Sequence, residues 1–158
     1  ENAKGNCHSL SLDLFDQWQS MEKNAQWRFT PPTHVLAAFY QALKEHYIEG
    51  GIQGRYDRYM QNCKTLCKGM KEIGFKQLLP DHLQAPIIIT FMQPDDPNFK
   101  FEQFYDALSK KGFLIYPGKL TIANTFRIGC IGYLTSNDML EALTAIKETM
   151  QELNIQLN

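Results

Sequence analysis

The 158-residue sequence predicts an α+β fold. The expected form is a two-layer sandwich, a small antiparallel or mixed sheet of three or four strands with helices on one face. Three observations carry this. Apolar residues recur at spacings of three and four over several long stretches, as amphipathic helices require. Between these stretches stand short β-branched or apolar runs of strand length, closed by proline, glycine and aspartate turns. The resulting order is helix, helix, strand, helix, strand, strand, helix, with no internal repeat and no low-complexity segment.

The first thirty residues are the least regular. Leu10, Leu12 and Leu14 alternate with Ser11 and Asp13, which suits a short strand, and residues 15–21 continue as a helical turn or a loop. Pro31 and Pro32 then mark a helix entrance, because a proline disfavours helix at the residue before it and tolerates the first helical turn after it. Leu36, Phe39, Tyr40, Leu43 and Tyr47 form one apolar helical face that Gly50-Gly51 ends. A longer helix follows over about six turns. Its apolar side runs from Ile52 through Tyr56, Tyr59, Cys63, Leu66 and Met70 to Ile73, and Gly74 is its natural cap. Arg55, Arg58, Lys64, Lys68 and Lys71 line the opposite side and read as a solvated basic face.

Beyond Gly74 the pattern shifts to strands. Residues 75–79 suit a short one. Residues 86–91 are β-branched and apolar on both faces, which predicts a central, covered strand. After the Pro94-Asp95-Asp96-Pro97 turn, Phe101, Phe104, Tyr105 and Leu108 mark a short helix stopped by Gly112. Residues 113–116 form a strand closed by Pro117-Gly118, and residues 126–131 form another. Thr135 to Asp138 offers a cap for a last amphipathic helix carrying Met139, Leu143, Ile146, Met150 and Leu153.

Composition narrows the function. With 16 Lys+Arg against 17 Asp+Glu, the formal charge of -1 gives no electrostatic case for nucleic acid or an anionic membrane. No apolar run approaches the ~20 residues of a transmembrane helix. Cys7, Cys63, Cys67 and Cys130 are too scattered for a secreted disulfide framework, so reduced thiols and a cytoplasmic location are expected. The start at Glu1, with no initiator Met and no leader pattern, reads as a fragment or an excised domain. No metal signature is present: Cys63 and Cys67 stand one helical turn apart and read as core, and His8, His34, His46 and His82 share no ligand spacing.

Two places attract chemistry. Arg127 stands between Phe126 and Ile128 in an otherwise apolar strand, with Gly129 and Gly132 close behind. An arginine there faces either solvent or an anion, and its planar fork matches a carboxylate or phosphonate bidentately. The alternatives are an edge-strand arginine or an internal salt bridge. Thr30 and Thr33 precede a helix, where hydroxyls and free backbone N–H groups either bind an anion or simply cap the turn.

These residues also carry a resemblance. Ser9-Leu10-Ser11-Leu12-Asp13-Leu14, Trp27-Arg28-Phe29-Thr30 with Pro32-Thr33-His34, Gly112-Phe113 with Ile115-Tyr116-Pro117-Gly118-Lys119, and Phe126-Arg127-Ile128-Gly129 with Ile131-Gly132 occur in this order. Together they resemble the 2-aminoethylphosphonate–pyruvate transaminases, class V members of the fold-type I aminotransferases that depend on pyridoxal 5'-phosphate. The likeness runs from about Lys4 to Met150. The arginine block is shared widely across class V; the blocks at 27–34 and 115–119 narrow it to the phosphonate enzymes.

The resemblance implies a C-terminal portion in which residues 1–32 end the large cofactor domain and its interface, and residues 33–158 form the small domain. It implies transfer of the amino group of 2-aminoethylphosphonate to pyruvate, giving phosphonoacetaldehyde and alanine, by a homodimer. In that setting Arg127 binds the acidic end of the substrate. Thr30 contacts the cofactor phosphate held mainly by the neighbouring subunit. The cofactor-linking lysine, the aspartate at the ring nitrogen and the stacking aromatic lie upstream, so no catalytic residue is expected here and neither Lys4 nor Lys119 is promoted. The alternatives are another class V small domain, of the alanine–glyoxylate or serine–pyruvate type, and a non-catalytic α+β interaction module.

Overall fold

Strand alternation and helix periodicity resolve into eight regular elements among the described residues of the computed structural model, which are residues 2, 4–119 and 123–157. The chain divides into two units, Glu1–Ile48 and Glu49–Asn158.

The first unit is helical. The expected strand at Leu10, Leu12 and Leu14 does not form: residues 10–12 turn, and α1 runs Leu14–Asn24. The cause is Asp13, whose Oδ1 accepts from the Phe15 and Asp16 amides at 3.0 and 3.1 Å. That cap satisfies donors a helix start leaves free and converts the run into helix one residue later. Ala25 closes α1 in the left-handed conformation, φ 56°. After Pro31-Pro32, α2 spans Thr33–Ile48. Neither helix buries a residue; Leu10, Leu12 and Leu14 are exposed, as are Phe39, Tyr40 and Leu43.

The second unit holds the core. Helix α3 spans Gly51–Ile73, and Gly74 caps it at φ 109°, where a side chain would strain the backbone. Strand β1 is Ile88–Met92, α4 is Phe101–Lys110, β2 is Tyr116–Pro117, β3 is Thr125–Gly129 and α5 is Ser136–Glu152. As expected from the sequence, Gly112 follows α4 with φ 90°, and Thr135 begins α5. The Thr135 amide and hydroxyl both donate to Asp138 Oδ2 at 2.7 Å.

The sheet is antiparallel with strand order β1-β3-β2. Its α+β two-layer form agrees with the sequence prediction, but the edges differ. β1 was expected in the centre; it is an outer strand whose burial alternates, with Ile89 and Phe91 in the core and Ile88, Thr90 and Met92 half-buried on the other face. A run apolar on both faces reports coverage and does not report how many strands lie beside it. The strand expected at 75–79 is a single bridge, Gln77 to Phe91. The strand expected at 113–116 shortens to two residues because Pro117 has no N–H for a ladder.

One face of the sheet is covered. Leu66 and Met70 of α3, Phe104 and Leu108 of α4, and Leu143 and Ile146 of α5 pack on Ile89, Phe91, Phe126 and Ile128. Gly69 lets α3 approach α5, since a Cβ there would meet the Leu143 side chain. Phe126 is the hub: the rings of Phe75, Phe91, Phe99, Phe101 and Phe104 lie 5.5 to 6.5 Å from it. Truncating it removes ring contacts to β1, to α4 and to the segments before each of them, and leaves a cavity. Phe126→Ala is expected to cost about 3–5 kcal/mol in urea unfolding; a loss below about 1 kcal/mol would contradict the hub.

Candidate functional site

Arg127 is set by the alternation of β3. Its neighbours Phe126 and Ile128 point into the core, so its own side chain leaves on the opposite face. There it pairs across the sheet with Thr90 of β1 on one side and Tyr116 of β2 on the other. The guanidinium is half-buried, and Nε donates to the Pro117 carbonyl at 3.1 Å. Among the described residues no carboxylate pairs with it. Among the described residues β3 is the central strand and the arginine has no internal salt bridge. Gly129 lies two residues on, hence on the same face, and a Cβ there would meet nothing within 4 Å. The result is a half-fixed fork beside bare backbone, able to accept a planar anion end-on.

The exit of β3 is clamped by α3. Arg58 Nη1 donates to the carbonyls of Gly132 and Leu134, the latter at 3.1 Å. Asn62 Nδ2 donates to the carbonyls of Cys130 and Leu134 at 3.2 and 2.9 Å. The Gly132 amide donates to the Tyr59 hydroxyl at 3.4 Å. The Arg58 guanidinium also lies 5.1 Å from the Tyr59 ring and 5.7 Å from the Tyr133 ring. Sequence reasoning placed Arg58 on a solvated stripe; it is a structural clamp. No local signal marks it, because the carbonyls it binds are more than seventy residues away.

Glu49 orients the clamp. Its carboxylate accepts from Arg58 Nε at 2.6 Å and from Arg55 Nε at 2.8 Å. The Arg58 and then the Arg55 hydrogen bonds hold its pKa down at about 2, from an ordinary 4.5. A carboxylate with a lowered folded-state pKa stabilises the fold above its ordinary pKa and loses that effect as pH falls through the folded value.

Thr30 belongs to the first unit. It is exposed at the turn before α2, and its side chain makes no hydrogen bond among the described residues. Arg28 fixes the strap leading to it. Its amide donates to Gln17 Oε1 at 3.3 Å, and its guanidinium reaches Asp13 O at 3.4 Å and Asp16 at 3.6 Å. Thr33, the other threonine singled out, opens α2, and its amide donates to the Pro31 carbonyl at 2.9 Å.

The lysines bear on what chemistry the chain holds. All are exposed except Lys111. Lys111 is tied to Glu148 and Glu152 at 3.1 and 2.8 Å, whose hydrogen bonds raise its pKa.

Two expectations follow from this geometry. Arg127→Lys loses one neutral acceptor contact and no ion pair, so its urea unfolding free energy is expected to change by less than about 1.5 kcal/mol; a larger loss would make the arginine structural. Glu49→Gln is expected to flatten stability between pH 4.5 and about 2, the window in which the native protein loses the Glu49 contribution, as read by unfolding midpoints across that range.

No family model matches the chain. Curated relatives do. It is 51% identical over 153 residues to a 2-aminoethylphosphonate–pyruvate transaminase of Pseudomonas fluorescens, covering 97% of this chain and 42% of that protein. The Pseudomonas aeruginosa transaminase of the same name is 50% identical over 155 residues, and one from Polaromonas is 46% identical over 157, each again covered to 42%. Among solved structures, ureidoglycine-glyoxylate aminotransferase from Bacillus subtilis aligns with a TM-score of 0.70 at 20% identity, over 91% of this chain and 38% of that one. Aspartate aminotransferase from Thermus thermophilus aligns with a TM-score of 0.72 at 17% identity, over 92% and 40%. At such identities the structures share the fold alone. By sequence the chain is similar to one part of the 2-aminoethylphosphonate–pyruvate transaminases, of whose length it spans 42%.

Proposed function

We propose that the chain is the C-terminal part of a pyridoxal 5'-phosphate-dependent transaminase that moves the amino group of 2-aminoethylphosphonate to pyruvate. The observation that carries this reading is Arg127: a fork with no carboxylate partner among the described residues, beside the open space at Gly129, in a chain 51% identical to transaminases of that name. Arg127 holds the anionic end of either substrate, phosphonate or carboxylate. The bidentate geometry fixes the substrate's long axis, so that its amine or carbonyl end is presented away from the sheet.

The residues present fit part of the cofactor. The exposed, unpaired Thr30 hydroxyl suits a phosphate oxygen, and Arg28 holds the strap that presents it. In this reading the lysine that links the ring lies in the rest of the transaminase. Bound pyridoxal phosphate supplies the electron sink for amino transfer. Residues 1–32 are then the end of the large domain and residues 33–158 the small domain. The exposed apolar residues of α1 and α2 call for a covering surface in the whole transaminase, since a helix with an apolar face and no buried residue needs one. No helix among the described residues is long and apolar enough to cross a membrane. We place the protein in the cytoplasm, as a homodimer in which Thr30 serves the neighbouring subunit's cofactor.

The test is steady-state kinetics of the complete transaminase carrying this segment. Arg127→Lys is expected to raise KM for both 2-aminoethylphosphonate and pyruvate at least tenfold, consistent with loss of about 1.4 kcal/mol or more of binding, with the melting temperature unchanged. Unchanged KM values for both substrates would sink the reading. Borohydride trapping of the 158-residue chain with added pyridoxal phosphate is expected to leave no stoichiometric lysine adduct; an adduct on Lys4 or Lys119 would show that the chain carries its own cofactor site.

A further inference from the structure

Helix α3 carries a second chemistry one turn beyond the clamp. Cys63 and Cys67 stand on consecutive turns with their sulfurs 3.9 Å apart. Cys63 is buried, 5% exposed, and Cys67 is half-buried. Both line a cleft of about 680 Å³ whose walls include Lys64, Lys68, Lys71 and Lys76. The third thiol nearby, Cys130, is fully buried and directs its Sγ to the Ile87 carbonyl at 3.5 Å.

Geometry limits what this pair does. Side chains one helical turn apart have Cβ atoms about 5–6 Å apart, whereas a disulfide needs about 3.5–4.5 Å. The pair therefore does not close on itself without unwinding the turn. A single soft atom bonded to both sulfurs at about 2.3 Å holds them about 3.3–3.8 Å apart, according to its bond angle. That span is close to the one observed. Among the described residues no group of three or more His, Cys, Asp or Glu is arranged to hold a metal ion. The fitting occupant is one satisfied by two thiolates.

We propose that Cys63 and Cys67 form a paired-thiol site that captures trivalent arsenicals. The step balances without an oxidant. An arsenoxide, R–As=O, takes both sulfurs; two As–S bonds form, the As=O bond and two S–H bonds break, and the oxygen leaves as water. Hydrogen bonding with Cys130 and Cys67 draws the Cys63 thiol below its ordinary range, so the pair offers a ready nucleophile. Cys67 is pushed up, first by its hydrogen bond to Cys63, and so brings its own proton to the departing oxygen; where Cys63 is already ionised the second proton of the water comes from solvent.

The experiment is intact-mass analysis of the native 158-residue chain with equimolar phenylarsine oxide. One adduct per chain, formed with loss of one water, is expected to map to the peptide holding Cys63 and Cys67. It is expected to survive excess 2-mercaptoethanol and to leave with 2,3-dimercaptopropanol. Cys67→Ser alters only a half-buried side chain and should keep the native circular dichroism. Its adduct should be displaced by monothiol on the order of 100-fold more readily, because the second anchor is gone. Cys63→Ser should behave alike, and Cys7→Ser should bind as the native chain does. The proposal is overturned by an adduct on Cys7 or Cys130, by one that forms only in urea, by its absence from the native chain, or by unchanged monothiol resistance in folded Cys67→Ser.

Discussion

The packing of Phe126 is the constraint on which the second unit turns. Five aromatic rings from β1, α4 and the segments before β1 and α4 converge on it. A strand has only two faces, so once Phe126 and Ile128 are committed to the core, the residue between them has no choice of side. Arg127 is therefore held outward by apolar contacts on the far side of its own backbone. The sheet, and not a loop, carries Arg127, and a side chain mounted on a central strand is held more firmly than one on a flexible tail.

The strand's far end is held by different forces. Arg58 and Asn62 satisfy carbonyls between Cys130 and Leu134 that no ladder reaches, and Glu49 keeps Arg58 in place. Buried carbonyls without partners are costly, so the clamp replaces a missing strand. Apolar packing fixes the middle of β3, and charge-assisted hydrogen bonds fix its exit. The two mechanisms respond differently to conditions: the first is insensitive to acid, and the second loses the ion pair that orients Arg58 once Glu49 is protonated.

Much of this was legible in the sequence because it is local. The period of Leu36, Phe39, Tyr40 and Leu43 placed α2, Gly74 placed the end of α3, and Thr135 with Asp138 placed the start of α5. Arg127 stood out because a charged residue inside an apolar run has few explanations. The misreadings have physical causes too. The alternation of Leu10, Leu12 and Leu14 resembled a strand, but the Asp13 cap governs that stretch. The apolar run before Met92 told which faces are covered and was silent on how many strands flank it. The role of Arg58 and the open space at Gly129 arise only when residues more than sixty positions apart come together. The substrates proposed for the chain rest on the resemblance of whole blocks, since a guanidinium matches a phosphonate and a carboxylate alike.

The sheet is also finite by construction. On the β2 side the edge is two residues long and includes Pro117, whose nitrogen has no hydrogen to donate and whose carbonyl is already engaged by Arg127. On the β1 side the Leu78 amide donates to the Thr90 carbonyl, and the Met92 amide donates to the Lys76 carbonyl. A foreign strand approaching either margin finds few backbone groups left to pair with. Amyloid-like growth by strand addition is thereby discouraged at both margins, and the exposed apolar side chains lie instead on helices α1 and α2, which have no ladder to extend.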